Sequence, residues 1–237
     1  MSDGLEIDLN GERLVLLPAG ALYWPKRAAL IVADMHFEKG SSYARKGVFL
    51  PPYDTRTTIG RLRTLCRRLA PRLVISLGDA FHDREAFARL DPEDAAALKD
   101  VVAEQRFVWI CGNHDPDPPR GLGGEAAPSL ALGGLTFVHE PGASGVVGEV
   151  AGHLHPAARV RSGGATTRRR CFAVDAARLV LPAFGAYAGG LNVLDDAFAP
   201  LFPERLTACV LGSDGVYPFR RAALSPDAAP ARRRKAG

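Results

Sequence analysis

Phe107-Val-Trp-Ile-Cys-Gly-Asn-His-Asp115 is the stretch on which the reading of this chain turns. Five apolar residues in succession, Phe107 to Cys111, fit a strand buried on both faces, as in a parallel sheet. Gly112 then permits a sharp turn. Asn113, His114 and Asp115 follow at once, so an amide, an imidazole and a carboxylate are delivered together at the strand's carboxyl end. In open α/β sheets that is where ligands bind.

Moving outward, four further apolar runs end in the same way. Residues 27–33 stop at Asp34-Met35-His36, and residues 73–77 run into Gly78-Asp79. Residues 135–138 end at His139, and residues 148–151 lead into Gly152-His153-Leu154-His155. Of the six histidines five sit at these strand ends, and the sixth, His82, follows Asp79 by three. Taken singly, each has a plain explanation: a surface histidine, or a Gly-Asp turn. Five in series point to one shared metal site. Carboxylate, amide and imidazole donors without sulfur suit manganese, iron or zinc better than calcium. The donors are too many for one first-row ion and suit two that share Asp79. Two ions roughly 3.5–4 Å apart can clamp a phosphoryl group.

The segments between these strand ends give the architecture. Residues 5–9 and 12–17 flank Asn10-Gly11, a hairpin signal because both turn residues accept positive φ. Apolar positions Ile59, Leu62, Leu65, Cys66 and Leu69 predict a helix over 55–69 with Asp54 as its cap. Asp91-Pro92-Glu93 opens a second helix, reaching Gln105. Residues 37–52 and 116–129 read as loops. Beyond residue 156 the runs at 159–161, 170–174 and 178–181 follow one another without helices, and residues 208–219 form a last hairpin. The expectation is therefore mixed α/β (α+β): two mixed β-sheets packed as a sandwich with flanking helices. Residues 5–222 read as one domain, with a disordered basic tail over 225–237.

Composition bounds the class. The 237 residues are 47% hydrophobic and 24% charged, as in a globular protein. No apolar run approaches the roughly 18 residues of a membrane span, and the acidic start has no signal-like core, so a cytoplasmic location is expected. The four cysteines, Cys66, Cys111, Cys171 and Cys209, form no Cys-x-x-Cys pair, which disfavours a disulfide frame or a thiolate zinc site. Net charge is +4 and the pI near 9.0, which permits an anionic partner. Only five of 30 basic residues are lysine. Coding bias accounts for the total, while individual arginines stay open as phosphate contacts.

At residues 30–156 the sequence resembles the calcineurin-like metallophosphoesterases, whose signature of Asp-x-His, Gly-Asp, Gly-Asn-His-Asp, His and Gly-His-x-His is filled at every position. The resemblance implies an αββα sandwich. It also implies that Asp34, His36 and His155 hold one ion, that Asn113, His139 and His153 hold the other, and that Asp79 bridges them. His114 would face the substrate and assist the leaving oxygen. Many family phosphatases have Asp-Arg three residues after the bridging Asp, whereas here His82 precedes Asp83 and Arg84. Either Asp83 orients His114 or His82 meets the substrate, with a plain pocket wall as the alternative, and Arg84 joins them as a candidate substrate contact. Gly78-Asp-Ala-Phe-His-Asp83, Pro51-Pro-Tyr-Asp-Thr55 and Pro182-Ala-Phe-Gly-Ala-Tyr-Ala-Gly-Gly-Leu191 resemble the bacterial branch encoded beside DNA ligase and a helicase, annotated in that branch as DNA-damage-response endonucleases.

That resemblance implies a two-ion phosphodiesterase, with manganese first and iron or zinc as alternatives, acting on single-stranded DNA in repair beside those partners. Arg45, Lys46 and the arginines of 56–68 could line a strand's path, and Phe37, Tyr43, Phe49, Tyr53 and Phe81 could stack bases. A phosphoesterase for a nucleotide or cyclic nucleotide fits the same donors, and a non-catalytic relic of the fold is disfavoured by the complete set.

Overall fold

In the computed structural model, residues 4–51, 53–116, 120–142, 146–162 and 164–227 are described. In chain order, the first half holds β1 (Leu5–Leu9), β2 (Glu12–Leu16), β3 (Leu22–Trp24), β4 (Ala29–Ala33), α1 (Lys39–Arg45), α2 (Asp54–Leu69), β5 (Leu73–Leu77), α3 (Ala86–Arg89), α4 (Pro92–Ala103), β6 (Arg106–Ile110) and β7 (Glu125–Ala127). The second half is strands: β8 (Leu130–Leu132), β9 (Leu135–Phe137), β10 (Glu149–Ala151), β11 (Ala157–Ser162), β12 (Ala165–Val174), β13 (Arg178–Val180), β14 (Thr207–Leu211), β15 (Val216–Arg220) and β16 (Leu224–Ser225).

The first sheet runs β1-β2-β3-β4-β5-β6-β7, antiparallel as far as β4 and parallel from there. Its hairpin turns on Asn10 (φ 50°) and Gly11 (φ 76°), as the Asn-Gly pair predicts. The second sheet runs β15-β14-β12-β13-β10-β9-β8, with β11 paired to β12 and β16 paired to β11. Both sheets are mixed, and the expected sandwich is what forms.

Alternation along the strands sorts the core into three layers. Ala29, Ile31, Ala33, Ile75, Leu77, Val108 and Ile110 face the second sheet, meeting Phe137, Val150, Phe172, Leu179 and Leu181. Leu30, Val32, Val74, Phe107 and Trp109 face outward against Ile59, Leu62 and Leu65 of α2 and Leu98 and Val101 of α4. Strands β4 to β6 are thus buried on both faces, which is why their sequences are unbroken apolar runs. The outer face of the second sheet is covered by residues 193–206, a turn-rich segment carrying Phe198 and Phe202 and not a helix.

Three local expectations are corrected. The stretch 37–52 contains α1, and 116–129 contains β7. Both are short, and neither has the long periodic face that marks a helix or strand in sequence. Asp54 does not cap its own helix. Its carboxylate instead accepts the Gly40 N–H at 2.9 Å, fixing the start of α1 against α2. At the other end, β16 pairs with β11, and residues 228–237 of the expected tail lie outside the described residues. Among the described residues no helix is long and apolar enough to cross a membrane.

Candidate metal centre

Register explains how distant residues meet. Ala33, Leu77 and Ile110 lie side by side at the ends of β4, β5 and β6. The loops carrying Asp34, Asp79 and Asn113 therefore leave the sheet at one level. On the opposing sheet, β9 and β10 are paired parallel with Val150 beside Phe137, which brings His139 and His153 to the same end. The ligand loops are tied together by main-chain bonds: Asp34 N–H to Gly78 O (3.3 Å), His36 N–H to Asp79 O (3.0 Å) and Gly152 N–H to His139 O (2.9 Å).

The backbone is strained where the side chains converge. Asp34, His36, Asp79, His153 and His155 all have positive φ, between 44° and 70°. L-residues adopt this region at a cost of roughly 1–2 kcal/mol each. Such outliers survive only where surrounding structure holds them, and they gather at functional sites. Gly112 is required by closeness: a Cβ there would collide with the backbone nitrogen of Asp79 and crowd the Asp115 carboxylate.

Two triads result, Asp34/His36/His155 and Asp79/His139/His153, each with donor atoms within 4.8 Å of one another. In the first, the two Nε2 atoms of His36 and His155 face each other at 3.2 Å, and His155 Nε2 lies 3.3 Å from Asp34 Oδ1. Asp34 is 0% exposed, and its Oδ1 has no hydrogen-bond partner among the described residues. Its Oδ2 accepts the His153 N–H at 2.9 Å. In the second, Asn113 Oδ1 lies 2.8 Å from His139 Nε2 and 3.0 Å from His153 Nδ1, so the amide joins the triad. Asp79 Oδ2 is 3.5 Å from His139 Nε2, while Oδ1 accepts the His114 N–H at 2.9 Å.

The electrostatics call for cations. Burial pushes His36 down to about 2, helped by neighbouring His155. Burial would push His139 down too, but Asp79 and Asp34 outweigh it and hold it up at about 9. Asp79, though burial opposes it, is drawn down to about 2 chiefly by His139. Ionised carboxylates, an amide oxygen and imidazoles aimed at common points, with one buried carboxylate oxygen unpaired, are a donor set that two divalent ions fit, His139 giving up its proton on binding.

The remaining candidates divide. His114 keeps 42% of its side chain exposed, and its Nδ1–H donates to the His82 carbonyl at 2.8 Å. Its Nε2 is 3.9 Å from Asp79 Oδ2. The His82 ring stacks on His114, with centroids 5.6 Å apart, and touches His36 and Tyr43 edge-on or tilted. Asp83 is not the partner of His114: both its oxygens are taken by Arg89, at 2.9 and 2.8 Å. Arg84 is exposed beside a cleft lined by Arg45, Lys46 and Asp83. Of the proposed stacking aromatics, Phe37 and Phe81 are core residues packed on each other, whereas Phe49 is 85% and Tyr53 64% exposed.

Sequence reasoning gave no role to Asp115. Buried, it accepts the Phe81 N–H at 3.0 Å while its own carbonyl accepts from Gly112, so it clamps the Asp79 loop to the Asn113 loop. Burial pushes its carboxyl up to about 7. Its place directly after His114 was the available signal.

The calcineurin-like phosphoesterase family model matches residues 29–163, more than half of the chain. The chain belongs to the calcineurin-like phosphoesterases. As a member it is a metal-dependent phosphoesterase, and the matched span contains every residue of both triads. Among solved structures, this phosphoesterase is similar to the nuclease MPE of Pseudomonas putida, at 30% identity and a TM-score of 0.69 over 92% of this chain and 100% of that one. Yfce, a phosphoesterase from E. coli, is 16% identical with a TM-score of 0.41, covering 82% of this chain and 98% of its own. No curated protein matches the sequence.

Proposed function

We propose that this phosphoesterase is a two-ion phosphodiesterase that cuts DNA, with single strands preferred, in a repair setting beside a ligase and a helicase. The observation that carries the DNA assignment is the likeness to a nuclease along nearly the whole chain. Asp34, His36 and His155 would hold one ion and Asn113, His139 and His153 the other, with Asp79 shared. Manganese is the proposed metal, and the oxygen and nitrogen donors accept iron or zinc as alternatives. The cytoplasm is the proposed location, in keeping with the buried thiols of Cys66, Cys171 and Cys209 in the core.

When bound, such ions supply Lewis-acid stabilisation of charge developing on the phosphoryl oxygens and lower the pKa of water. The chain's own contribution is geometric. The His82 carbonyl fixes the ring of His114 through Nδ1, leaving Nε2 3.9 Å from Asp79 Oδ2. In its imidazolium form His114 can give a proton to the leaving oxygen. His82, stacked on that ring, walls the side from which substrate enters. The test is a manganese panel of single-stranded DNA, duplex DNA, bis(p-nitrophenyl) phosphate and a phosphomonoester, with Asp79→Asn as the inactive control. Cleavage of DNA and diester lost in Asp79→Asn is expected, and turnover of the small esters alone would refute the DNA assignment.

A further inference from the structure

We propose that the ribbon formed by β11 and β12 is the track on which the phosphates of single-stranded DNA lie as the strand leaves the metal centre. This rests on the nuclease reading above.

Along β12, Val174 and Phe172 point into the layer between the sheets. The next two residues on that face are Arg170 and Arg168, because strand side chains alternate. The register sets Arg170 opposite Ala157, Arg168 opposite Arg159 and Thr166 opposite Arg161. Four guanidinium groups therefore share one face of a two-stranded ribbon, about 6.7 Å between successive same-face positions. The other face carries exposed Arg169 and Thr167 together with Ala158, Val160 and Cys171, which are buried against Val193 and Phe198 and anchor the ribbon from behind.

The stripe starts at the metal centre. Ala157 lies two residues after His155. Arg170 donates to the carbonyls of Ala183 (2.8 Å) and Gly185 (3.3 Å), and Gly185 N–H donates to Asp34 O at 3.2 Å. From there the line runs outward through Arg168 and half-buried Arg159 to exposed Arg161.

Arg168 and Arg170 also serve the fold, donating to the carbonyls of Gly190, Ala183 and Gly185, whereas among the described residues no such bond holds Arg159 or Arg161. Like charges directly opposite on a ribbon are destabilising, yet Arg159 and Arg168 are placed so. Among the described residues the one carboxylate ion-paired on this face is Asp227, 3.0 Å from Arg168 Nε. Of the cations proposed from sequence for a strand's path, Arg45, Arg56 and Arg63 are ion-paired, Arg63 with Asp100 at 3.6 Å. Arg45 pairs with Glu85, and Arg56 meets Asp91, Glu93 and Asp94. Lys39 and Lys46 put positive charge beside His36 and His82, and the ribbon carries it outward as a stripe that complements a polyanionic strand.

The experiment compares the full-length protein with Arg159→Gln/Arg161→Gln. A charge-matched control, Arg13→Gln/Arg72→Gln, lies at the opposite end of the first sheet, where β2 and β5 begin. The kcat/KM for a fluorescent single-stranded oligonucleotide is measured across a salt series in manganese, alongside bis(p-nitrophenyl) phosphate. Two lost phosphate contacts lower the log–log salt slope by about 1.4, so between about 50 and 200 mM salt the wild type loses roughly sevenfold more than the variant. The ratio of oligonucleotide to small-diester kcat/KM falls in the variant and not in the control. Arg161→Gln alone, at an exposed site, lowers the slope by about half as much and covers the case of a double variant that misfolds. A slope matching the control overturns the track and leaves the nuclease reading standing. A wild type that turns over the small diester and no DNA overturns both.

Discussion

The positive φ at His153 (70°) sits at a residue whose side chain points to the second triad, and it allows backbone strain to be separated from ligand chemistry. His153→Ala and His153→Gly both remove the imidazole, and both keep the main-chain N–H to Asp34 Oδ2. They differ in backbone alone. Left-handed φ costs an L-residue roughly 1–2 kcal/mol, while glycine gives up roughly 0.5–1 kcal/mol through its freer unfolded chain. The net expectation is that glycine is the more stable of the pair by about 0.5–1 kcal/mol. Thr64 supplies the reverse case: it is exposed on α2 in ordinary helical geometry, so Thr64→Ala should exceed Thr64→Gly by about 1 kcal/mol. The assay is urea unfolding in chelator, followed by fluorescence of Trp24 and Trp109, both buried. At this chain length 1 kcal/mol moves Tm by roughly 2–4 °C, so the two pairs should shift in opposite directions by amounts a thermal scan resolves. If glycine at 153 is equal to or less stable than alanine, the site is not strained as described, and the fold is not holding its ligands against local preference.

Three further outcomes are expected. Manganese at about a hundred times its Kd should stabilise the wild type by about 2.7 kcal/mol, raising Tm by some 5–10 °C, with the gain much reduced in Asp79→Asn; no shift in the wild type would count against the paired-ion reading. Arg178 is buried 3.4 Å from buried Glu149 and donates to Gly142 O at 2.9 Å, so Arg178→Ala should cost about 3–5 kcal/mol by stranding a carboxylate, measured by urea unfolding. The guanidinium of Arg89 holds the Asp83 carboxyl down at about 2, against an ordinary value of 3.8. A depressed carboxyl stabilises fully above its unfolded pKa, so this contribution should fade as pH drops from about 4 to 2. It should amount to no more than about 1 kcal/mol, because the pair is partly solvated. Asp83→Asn should flatten that limb of the stability–pH curve, and an unchanged limb would dismiss the pair's role.

Much of the candidate centre was legible because its donors follow the ends of short, mostly apolar strands. A strand's end can be read from where its apolar run stops, and the donor types at five such ends carry their own chemistry. The expectation for Asp83 missed because nearness in sequence to His82 says nothing about where a carboxylate turns: Arg89, six residues on, competes with His114 and wins both oxygens. Helix α1 was missed because the seven residues from Lys39 to Arg45, entered through Glu38 at φ 63°, have too little periodicity to announce themselves.

Sequence alone determined the strand ends, the donor types and the hairpin turn, since these depend on local sterics and on the pattern of apolar residues. Tertiary structure decided which donors come within reach of one another, bringing His36 against His155, 119 positions apart in sequence. It also decided that Arg159 of β11 stands directly opposite Arg168 of β12, because that follows from the register between the two strands. Register is a property of pairs of strands, and no single run of residues contains it.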